Sequence, residues 1–409
     1  MKHIWRVKNF TMLKVLHIGK YFPPFSGGME NFMADLLEEM EKSGIDVAAV
    51  VHNHNRHIKT KIIETYKGIR LYKVPCYGQL LYAPVSPQFP FVLDSAIKEF
   101  KPDIIHIHKP NTSALWMLLY PPLFPALKNI PIIIHWHSDV VQSNFDTRLQ
   151  KAYKLYKPFE QRLLKHAHTI IATSTPYLET SSALKNWRHK TVVIPLGLKD
   201  NTKQPISYQD KAWAETLWGT GKTRILSIGR LTYYKGHDIF IEALRKPSQI
   251  QAIIVGTGEL AEQIQKKISA YNLDKKIILT GHLENSKLEA LLSSCDCLVL
   301  SSIERTEAFG IVLLEAMRAK KPVIVSDVPG SGMGWIVKDA ITGFIVPHSN
   351  PQLLSKAINK IAANPELAKK LGLNGEDRFK KNFQIRDIGV RLGLLAYCRD
   401  SDNKPISQA

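Results

Sequence analysis

This sequence is short of acid relative to base. Its 36 Asp and Glu stand against 55 Lys and Arg, a formal net charge of +19 with His counted neutral. That balance disfavours basic partners and favours anionic ones: nucleic acid, an acidic membrane surface or a phosphorylated ligand. Cysteine is scarce as well. Cys76, Cys295, Cys297 and Cys398 make no disulfide framework, so a reducing cytosol is the expected compartment. Cys295 and Cys297 flank Asp296 in an apolar run that reads as strand packing, with no second Cys/His cluster at metal-ligand spacing. No run of about 18 apolar residues occurs, which excludes a membrane-spanning helix. The most apolar stretch, SALWMLLYPPLFPAL at 113–127, is broken by Pro121, Pro122 and Pro125. The opening MKHIWRVKNF has basic residues but lacks the apolar core and small-residue cleavage site of a secretory signal. Residues 1–11 read as an extension to the fold, and any membrane contact is expected to be peripheral.

What is present is a repeat of strand, loop and helix. With 409 residues and 44% hydrophobic content, the chain can bury a sizeable core in two or three domains. In the first half the short apolar runs are MLKVLHIG (12–19), DVAAVV (46–51), IRLYKV (69–74), DIIHIH (103–108), PIIIHWH (131–137), TIIATS (169–174) and TVVIPLG (191–197). Between the first two lies ENFMADLLEEMEKSG, where Phe32, Leu36, Leu37 and Met40 share a helical face and Gly44 stops it. The pattern pauses over 198–222, a polar stretch with Pro, Gly and a short helix-like piece that reads as a linker or hinge. It restarts with TRILSIG (223–229), QAIIVG (251–256), KIILTG (276–281), CLVLSS (297–302), PVIVSD (322–327) and GFIVP (343–347), and the chain is helical from about 351. Near-continuous apolar strands alternating with helices imply parallel sheets covered on both faces. The expected fold is therefore α/β, two doubly wound Rossmann-like domains at 12–197 and 223–385, facing across a cleft. Residues 386–409 form a last helix and tail. In such folds ligands sit beyond the carboxyl ends of the strands.

The strand ends carry the chemistry. After the first strand, KYFPPFSGGMEN places Gly27 and Gly28 before a helix, where backbone N–H groups can approach a phosphate or a sugar hydroxyl. A tight turn with no ligand would use the pair equally. The spacing is not G-x-G-x-x-G, which disfavours a nicotinamide site. His106 and His108 end one strand, and His135 and His137 end another. Each pair shares a strand face and no carboxylate completes a site, so hydrogen bonding is expected rather than a metal. His137 and Asp139 then point into the cleft, and His106 is a satisfied structural residue. In the second half, Arg230 and Lys235 follow Gly229 within one loop and suit a diphosphate, Arg as a fork and Lys as a compact charge. Gly256 and Gly258 end the next strand, and His282 and Leu283 follow Gly281, where backbone could read a base edge. ERTEAFGIVLLEAM (304–317) adds Glu307 on a loop and Glu315 on an apolar helix. Phe309 and Gly310 open that helix, whose free N–H groups can reach a phosphate. A ribose offers two hydroxyl donors and a carboxylate can accept both, which gives Glu315 a reason to sit near a cleft. Glu304 finds no role at this level. Cations for a diphosphate with carboxylates for hydroxyls describe a nucleotide-sugar pocket. No Asp-x-Asp stands at a strand end; Asp400 and Asp402 lie in the C-terminal tail.

These segments resemble the retaining glycosyltransferases of family 4, which have the GT-B fold. The matching marks are PPFSGGMENF, HWHSD, IATS, VVIPLG, IGRLTYYKG, VGTGE and ERTEAFGIVLLEAM, in family order over roughly 12–385. The E-x7-E pattern is the most specific of them. The resemblance implies that the second domain binds the donor, Arg230 and Lys235 meet its diphosphate, Glu307 touches the transferred sugar and Glu315 the ribose. It places Gly27 and Gly28 near donor phosphate and acceptor, His137 near the reacting sugar, and the last helix back on the first domain. It implies transfer with retention, same-face attack assisted by the leaving phosphate, and no metal or other cofactor. Leaving-group charge then falls to Arg230, Lys235 and helix N-termini. HWHSDVV and IIATSTPYLE resemble bacterial enzymes of O-antigen or capsule synthesis, which implies a hexose, best read as mannose from GDP-mannose, and a lipid-linked glycan acceptor. A UDP-sugar donor is the alternative.

The segment RLQKAYKLYKPFEQRLLKHAH (148–168) sets Lys151, Lys154 and Lys157 among Tyr153, Tyr156, Phe159 and Leu163. A basic amphipathic helix with aromatics suits an anionic membrane surface, and a solvated face is the plain alternative. The expected place is the inner face of the cytoplasmic membrane. A nucleic-acid-binding or membrane-binding protein without catalysis remains a remote alternative on charge alone; no nucleic-acid motif supports it. The E-x7-E pattern with its Arg/Lys pair argues against an epimerase, and no phosphorylase-like lysine context is present.

Overall fold

The computed structural model describes residues 12–25, 27–80, 83–118, 130–140, 147–200, 205–219, 221–247 and 249–397. The extension read at 1–11, Cys398 and the tail beyond it lie outside these. The chain forms two compact units. One holds the residues up to Ala172, Asn186–Ile194 and those from Arg386 on; the other holds Thr173–Lys185 and Pro195–Ile385.

The first unit is built on an eight-stranded sheet. Its strands are β1 (Lys14–Ile18), β2 (Asp46–His52), β3 (Ile62–Tyr66), β4 (Ile69–Val74), β7 (Ile104–Lys109), β8 (Ile132–Trp136), β9 (Thr169–Ala172) and β10 (Thr191–Val193), ordered β10-β9-β8-β7-β1-β2-β4-β3. A small hairpin of β5 (Gly78–Leu80) and β6 (Ala83–Val85) stands apart. Every pairing in the large sheet is parallel except β3 with β4. β1 and β2 are covered on both faces, which is why their sequences run apolar without alternation. The helix Gly28–Lys42 turns Phe32, Met33, Leu36, Leu37 and Met40 into the core, and Gly44 ends it at φ +84°, in the left-handed region. Burying each of those leucines contributes about 1.5–3 kcal/mol. The last helix, Ile385–Tyr397, packs beside it: a Cβ on Gly389 would lie 3.5 Å from the Glu39 side chain.

The basic segment is one helix, Thr147–His166, running through Pro158. A buried ion pair moors it to β7. Lys109 is fully buried, bonds the Tyr156 hydroxyl and lies 3.5 Å from Glu160, which accepts from the Tyr153 hydroxyl at 2.9 Å. Burial alone would push Lys109 down, but Tyr156 and Glu160 beside it reverse that and hold it protonated. This mooring corrects the expected face. Tyr153 and Leu163 are buried and Tyr156 is half-buried, so of the aromatics only Phe159 faces out, with Leu155 beside Lys151, Lys154 and Lys157.

The second unit has six parallel strands, β11 (Thr223–Ile228), β12 (Ile250–Val255), β13 (Ile277–Gly281), β14 (Cys297–Leu300), β15 (Val323–Asp327) and β16 (Gly343–Pro347). Their order, β13-β12-β11-β14-β15-β16, reverses direction between β11 and β14. That gap is the switch point at which doubly wound sheets bind ligands. The stretch read as a linker contains a helix, Tyr208–Trp218, started by Ser207 accepting from the Asp210 N–H at 3.0 Å. Trp218 donates to Ser294 at 2.8 Å, so this helix belongs to the second unit.

Candidate active site

At the switch point the exits of β11 and β14 are joined backbone to backbone. Tyr233–Lys235 makes a single tight turn ending at Gly236, φ +66°, where a Cβ would stand 2.1 Å from the Ser301 carbonyl. Only glycine fits there. The Ser301 hydroxyl donates to the Gly236 carbonyl at 3.0 Å, and the Ile303 N–H to the Tyr234 carbonyl at 2.8 Å. The stitch sets Lys235 directly against Glu307: the two side chains pair, with only 11% and 12% of their surfaces exposed. Burial would push Lys235 down; Glu307, then Tyr234, raise it, and the net direction is upward. Tyr234 lies under the ammonium, 5.8 Å from Nζ to the ring centre. Its part was not legible in sequence beyond membership of the YYK run.

Glu304 now has a place. It accepts from the Tyr233 hydroxyl and from Thr306 at 2.8 Å, clasping the β14 loop to the Lys235 turn. Glu315 lies on the helix Ile311–Arg318, which begins one residue after Gly310 rather than at Phe309. Gly310 has φ +81° and no side chain caps the helix, so its first N–H groups are left for solvent or a ligand oxygen. Burial pushes the half-buried Glu315 carboxyl up to about 7, against the pull of Arg318 and Lys235 and with the push of Glu289. Lys235 therefore pairs with one acid of the E-x7-E pattern and pulls electrostatically on the other. Arg230 stands exposed two residues past β11, its guanidinium making no hydrogen bond or ion pair among the described residues.

The remaining predicted donor residues lie on the same sheet edge. Gly256, φ +148°, brings the β12 exit so close to β11 that a Cβ would meet the Gly229 carbonyl at 1.9 Å; at Gly258 it would meet Leu231 O at 2.2 Å. Loop packing thus demands both glycines whether or not a ligand approaches. His282, exposed, and Leu283, half-buried, follow β13, two strands from β11.

In the first unit Gly28 starts its helix and Gly27 is extended, at φ −179°. The Glu30 carboxylate lies over that start, 2.1 Å from where a Gly27 Cβ would stand. An acid of the chain itself thus sits where the sequence pointed to an anion. His137 is 7% exposed; its backbone N–H donates to Lys109 O at 3.0 Å and its ring Nε2 is 3.0 Å from His108 Nδ1. Burial pushes the ring down to about 3, so it is neutral near pH 7. Asp139 accepts from the Trp136 indole at 2.8 Å, which gives it a local partner. His106 corrects the expectation of a satisfied residue: its Nε2 is buried with no partner among the described residues.

Sequence reasoning missed His17, since strand register alone sets it opposite His106. With it the histidines form two trios, His17–His106–His108 and His108–His135–His137, each with nitrogens within 4.8 Å of one another. Neither trio includes a carboxylate, so a divalent ion would keep its charge in a buried site. Two nitrogen pairs are already hydrogen-bonded, His17 with His108 and His108 with His137.

Two family descriptions match the chain: Glycosyltransferase Family 4 over residues 26–201 and Glycosyl transferases group 1 over 209–378. The O-antigen chain mannosyltransferase C of Escherichia coli is 30% identical over 91% of this chain and 94% of its own length. The D-rhamnosyltransferase WbpZ of Pseudomonas aeruginosa is 30% identical over 91% and 92%. Among solved structures, the sucrose-phosphate synthase of Thermosynechococcus elongatus superposes with a TM-score of 0.78 at 23% identity, covering 94% of this chain and 98% of its own. Anabaena HepE superposes at 0.74 with 19% identity, covering 94% and 99%. Those two likenesses speak to fold, which is GT-B. By its matched halves and its full-length relatives, the chain belongs to the family 4 glycosyltransferases.

Proposed function

We propose that the protein is a retaining, metal-independent hexosyltransferase that moves mannose from GDP-mannose to a lipid-linked glycan in cell-surface polysaccharide synthesis. The observation that carries the donor site is Lys235, nearly buried at the switch point, paired with Glu307 and within electrostatic reach of Glu315. A diphosphate there meets Lys235, the free fork of Arg230 and the uncapped helix after Gly310, which together offset leaving-group charge without a metal. Glu307 takes the sugar hydroxyls and Glu315 the ribose. Gly256, Gly258, His282 and Leu283 lie on the base side, while Gly27, Gly28 and His137 serve the acceptor side. The choice of mannose and of a glycan acceptor rests on the relatives' names, a mannosyltransferase for O-antigen chains and a rhamnosyltransferase.

Calorimetry with GDP and UDP in EDTA tests the donor reading. GDP is expected to bind and UDP to bind less tightly; binding of neither would overturn it, and preference for UDP would change the nucleotide. The pH dependence is a sharper measure. Glu315 is raised from 4.5 to about 7 in the fold, so between those values the folded chain holds a proton there. Stability contributed by that neutral form is lost as pH rises through about 7, whereas acceptance of ribose hydroxyls is gained. Between pH 6 and 8 affinity should therefore rise about tenfold more in the wild type than in Glu315→Gln, in which no such group titrates. Equal slopes would remove Glu315 from the ribose.

The acceptor reading places the basic helix on an anionic surface at the inner face of the cytoplasmic membrane. Leu155 is 77% and Phe159 50% exposed amid Lys151, Lys154 and Lys157, apolar and basic together. Changing the three lysines to glutamine should weaken partition onto anionic vesicles by roughly two orders of magnitude, from about 1 kcal/mol per cation. Unchanged partition would mean a merely solvated face.

A further inference from the structure

Residues 75–93 carry no charge, in a chain of which 22% is Asp, Glu, Lys or Arg. Folded, they include the hairpin of β5 and β6 and the start of the helix Phe89–Phe100. Pairing sets Gly78 against Val85, Gln79 against Pro84 and Leu80 against Ala83. Strand alternation then sends Gln79 and Pro84 to one side and Leu80 and Val85 to the other. The side with the glutamine is the one turned inward: Gln79 donates to the Tyr21 hydroxyl at 2.9 Å, and Pro84 is buried. Leu80 is 69% exposed and Val85 39%. Tyr77, 45% exposed, donates its N–H to Val85 O at 2.9 Å, and its hydroxyl accepts from Gln88 at 2.9 Å. Phe91, 67% exposed, follows Gln88 by one helical turn. A chain surrounded only by water places leucine inward and glutamine outward. Here the order is reversed, and the apolar side chains are clustered rather than scattered, which marks a contact surface.

Charge names the occupant. The loop after β2 brings Arg56, Lys59 and Lys61, all exposed, and no acid stands within 47–63. Lys59 lies over the Tyr77 ring, 4.7 Å from Nζ to the ring centre, and Lys61 donates to Ser95 on the helix Phe89–Phe100 at 3.2 Å. Exposed apolar side chains edged by cations match an anionic bilayer, with the cations at the headgroups and the apolar groups beneath them. Strand addition by a protein fits less well, because these strands are three residues long and Pro84 lacks an N–H. Location agrees with lipid. The turn Thr112–Leu115, at the exit of β7, packs against both β6 and the basic helix Thr147–His166.

We propose that the β5–β6 hairpin, with Phe91 and the loop after β2, is a second lipid contact of the first unit: Leu80, Val85 and Phe91 enter an anionic bilayer while Arg56, Lys59 and Lys61 meet its headgroups. This rests on the membrane reading of the basic helix and deepens it. A single helix is an axis about which the unit can roll; a second contact beside it fixes the tilt.

Vesicles of phosphatidylglycerol and phosphatidylcholine in equal parts, pelleted with the full chain, test the proposal. Leu80→Ser/Phe91→Ser is expected to lower partition at least about tenfold, through lost apolar transfer. Arg56→Gln/Lys59→Gln/Lys61→Gln should lower it roughly 100-fold, and on pure phosphatidylcholine that difference from the wild type should vanish. A polarity-sensitive dye on Leu80→Cys, in a Cys398→Ser background, should shift to the blue on the anionic vesicles and be quenched by nitroxides on the acyl chains. Partition lost in the hairpin and loop variants but not on changing Lys151, Lys154 and Lys157 would uphold this contact and leave the basic helix merely solvated. Partition lost only on changing those three lysines, with the dye still in water, overturns the proposal and spares the helix reading. A wild type that ignores the vesicles sinks both. Unchanged partition of Leu80→Ser/Phe91→Ser, with transfer reduced to a long-chain lipid acceptor but not to a short-chain one, would assign the hairpin to the acceptor's tail. A wild-type dimer split by that variant would assign it to a second copy. Either result overturns the bilayer contact.

Discussion

Lys235→Met is expected to lower sugar transfer roughly 100- to 1,000-fold, the usual cost of deleting a preorganised group that meets charge in a transition state. The same change should destabilise the fold. Glu307, only 12% exposed, loses the ammonium it pairs with. Removing one partner of a buried pair typically costs about 3–5 kcal/mol, more than the pair itself contributes, because the other charge is left alone. The double variant Lys235→Met/Glu307→Gln separates the two effects. Denaturant unfolding should find its stability largely restored, while transfer stays as low as in the single variant or lower. A double variant no more stable than Lys235→Met would mean that the pair is not the buried, mutually dependent unit seen here.

Glu307→Gln is the second large effect. Transfer should fall about 1,000-fold, since a carboxylate that accepts sugar hydroxyls becomes an amide that accepts less well and carries no charge. Nucleoside diphosphate affinity should hold or tighten. Without its counter-charge, Lys235 is released to the diphosphate. Glutamine is the informative choice because it keeps the volume next to Lys235, whereas alanine would open a void and confuse packing with chemistry. Calorimetry and a transfer assay on the same preparation decide the matter: loss of transfer and binding together would mark Glu307 as structural.

The fold was legible because fully buried parallel strands have a plain signature, and runs such as QAIIVG and CLVLSS sit in the second sheet as β12 and β14. The candidate site was legible for a related reason: Arg230, Lys235, Glu307 and Glu315 all follow or flank strand ends, and one sequence suffices to find strand ends. What sequence could not supply was register and facing. His17 entered the histidine trios only because β1 lies beside β7, a non-local pairing. Glu304 had no role until Tyr233 folded onto it. The aromatic face of the basic helix was misjudged because Lys109, some 50 residues upstream at the end of its strand, turns out to anchor Tyr156 and Glu160. The helix-like piece within 198–222 was visible, but its docking was not, since Trp218 finds its partner, Ser294, far along the chain.

The mooring of the basic helix has a thermodynamic consequence. An amphipathic segment that is unstructured in water must lose conformational entropy when it settles on lipid, and much of its affinity is spent on folding. Here Lys109 and Glu160 have already fixed the helix and chosen its outward side. Contact with an anionic surface would then require no ordering of the backbone, only the approach of a preformed plate of lysines with Leu155 and Phe159 at its centre. Such an association is fast, shallow and readily reversed by salt, and it leaves helical content unchanged. It suits a protein that visits a surface many times rather than one that settles there.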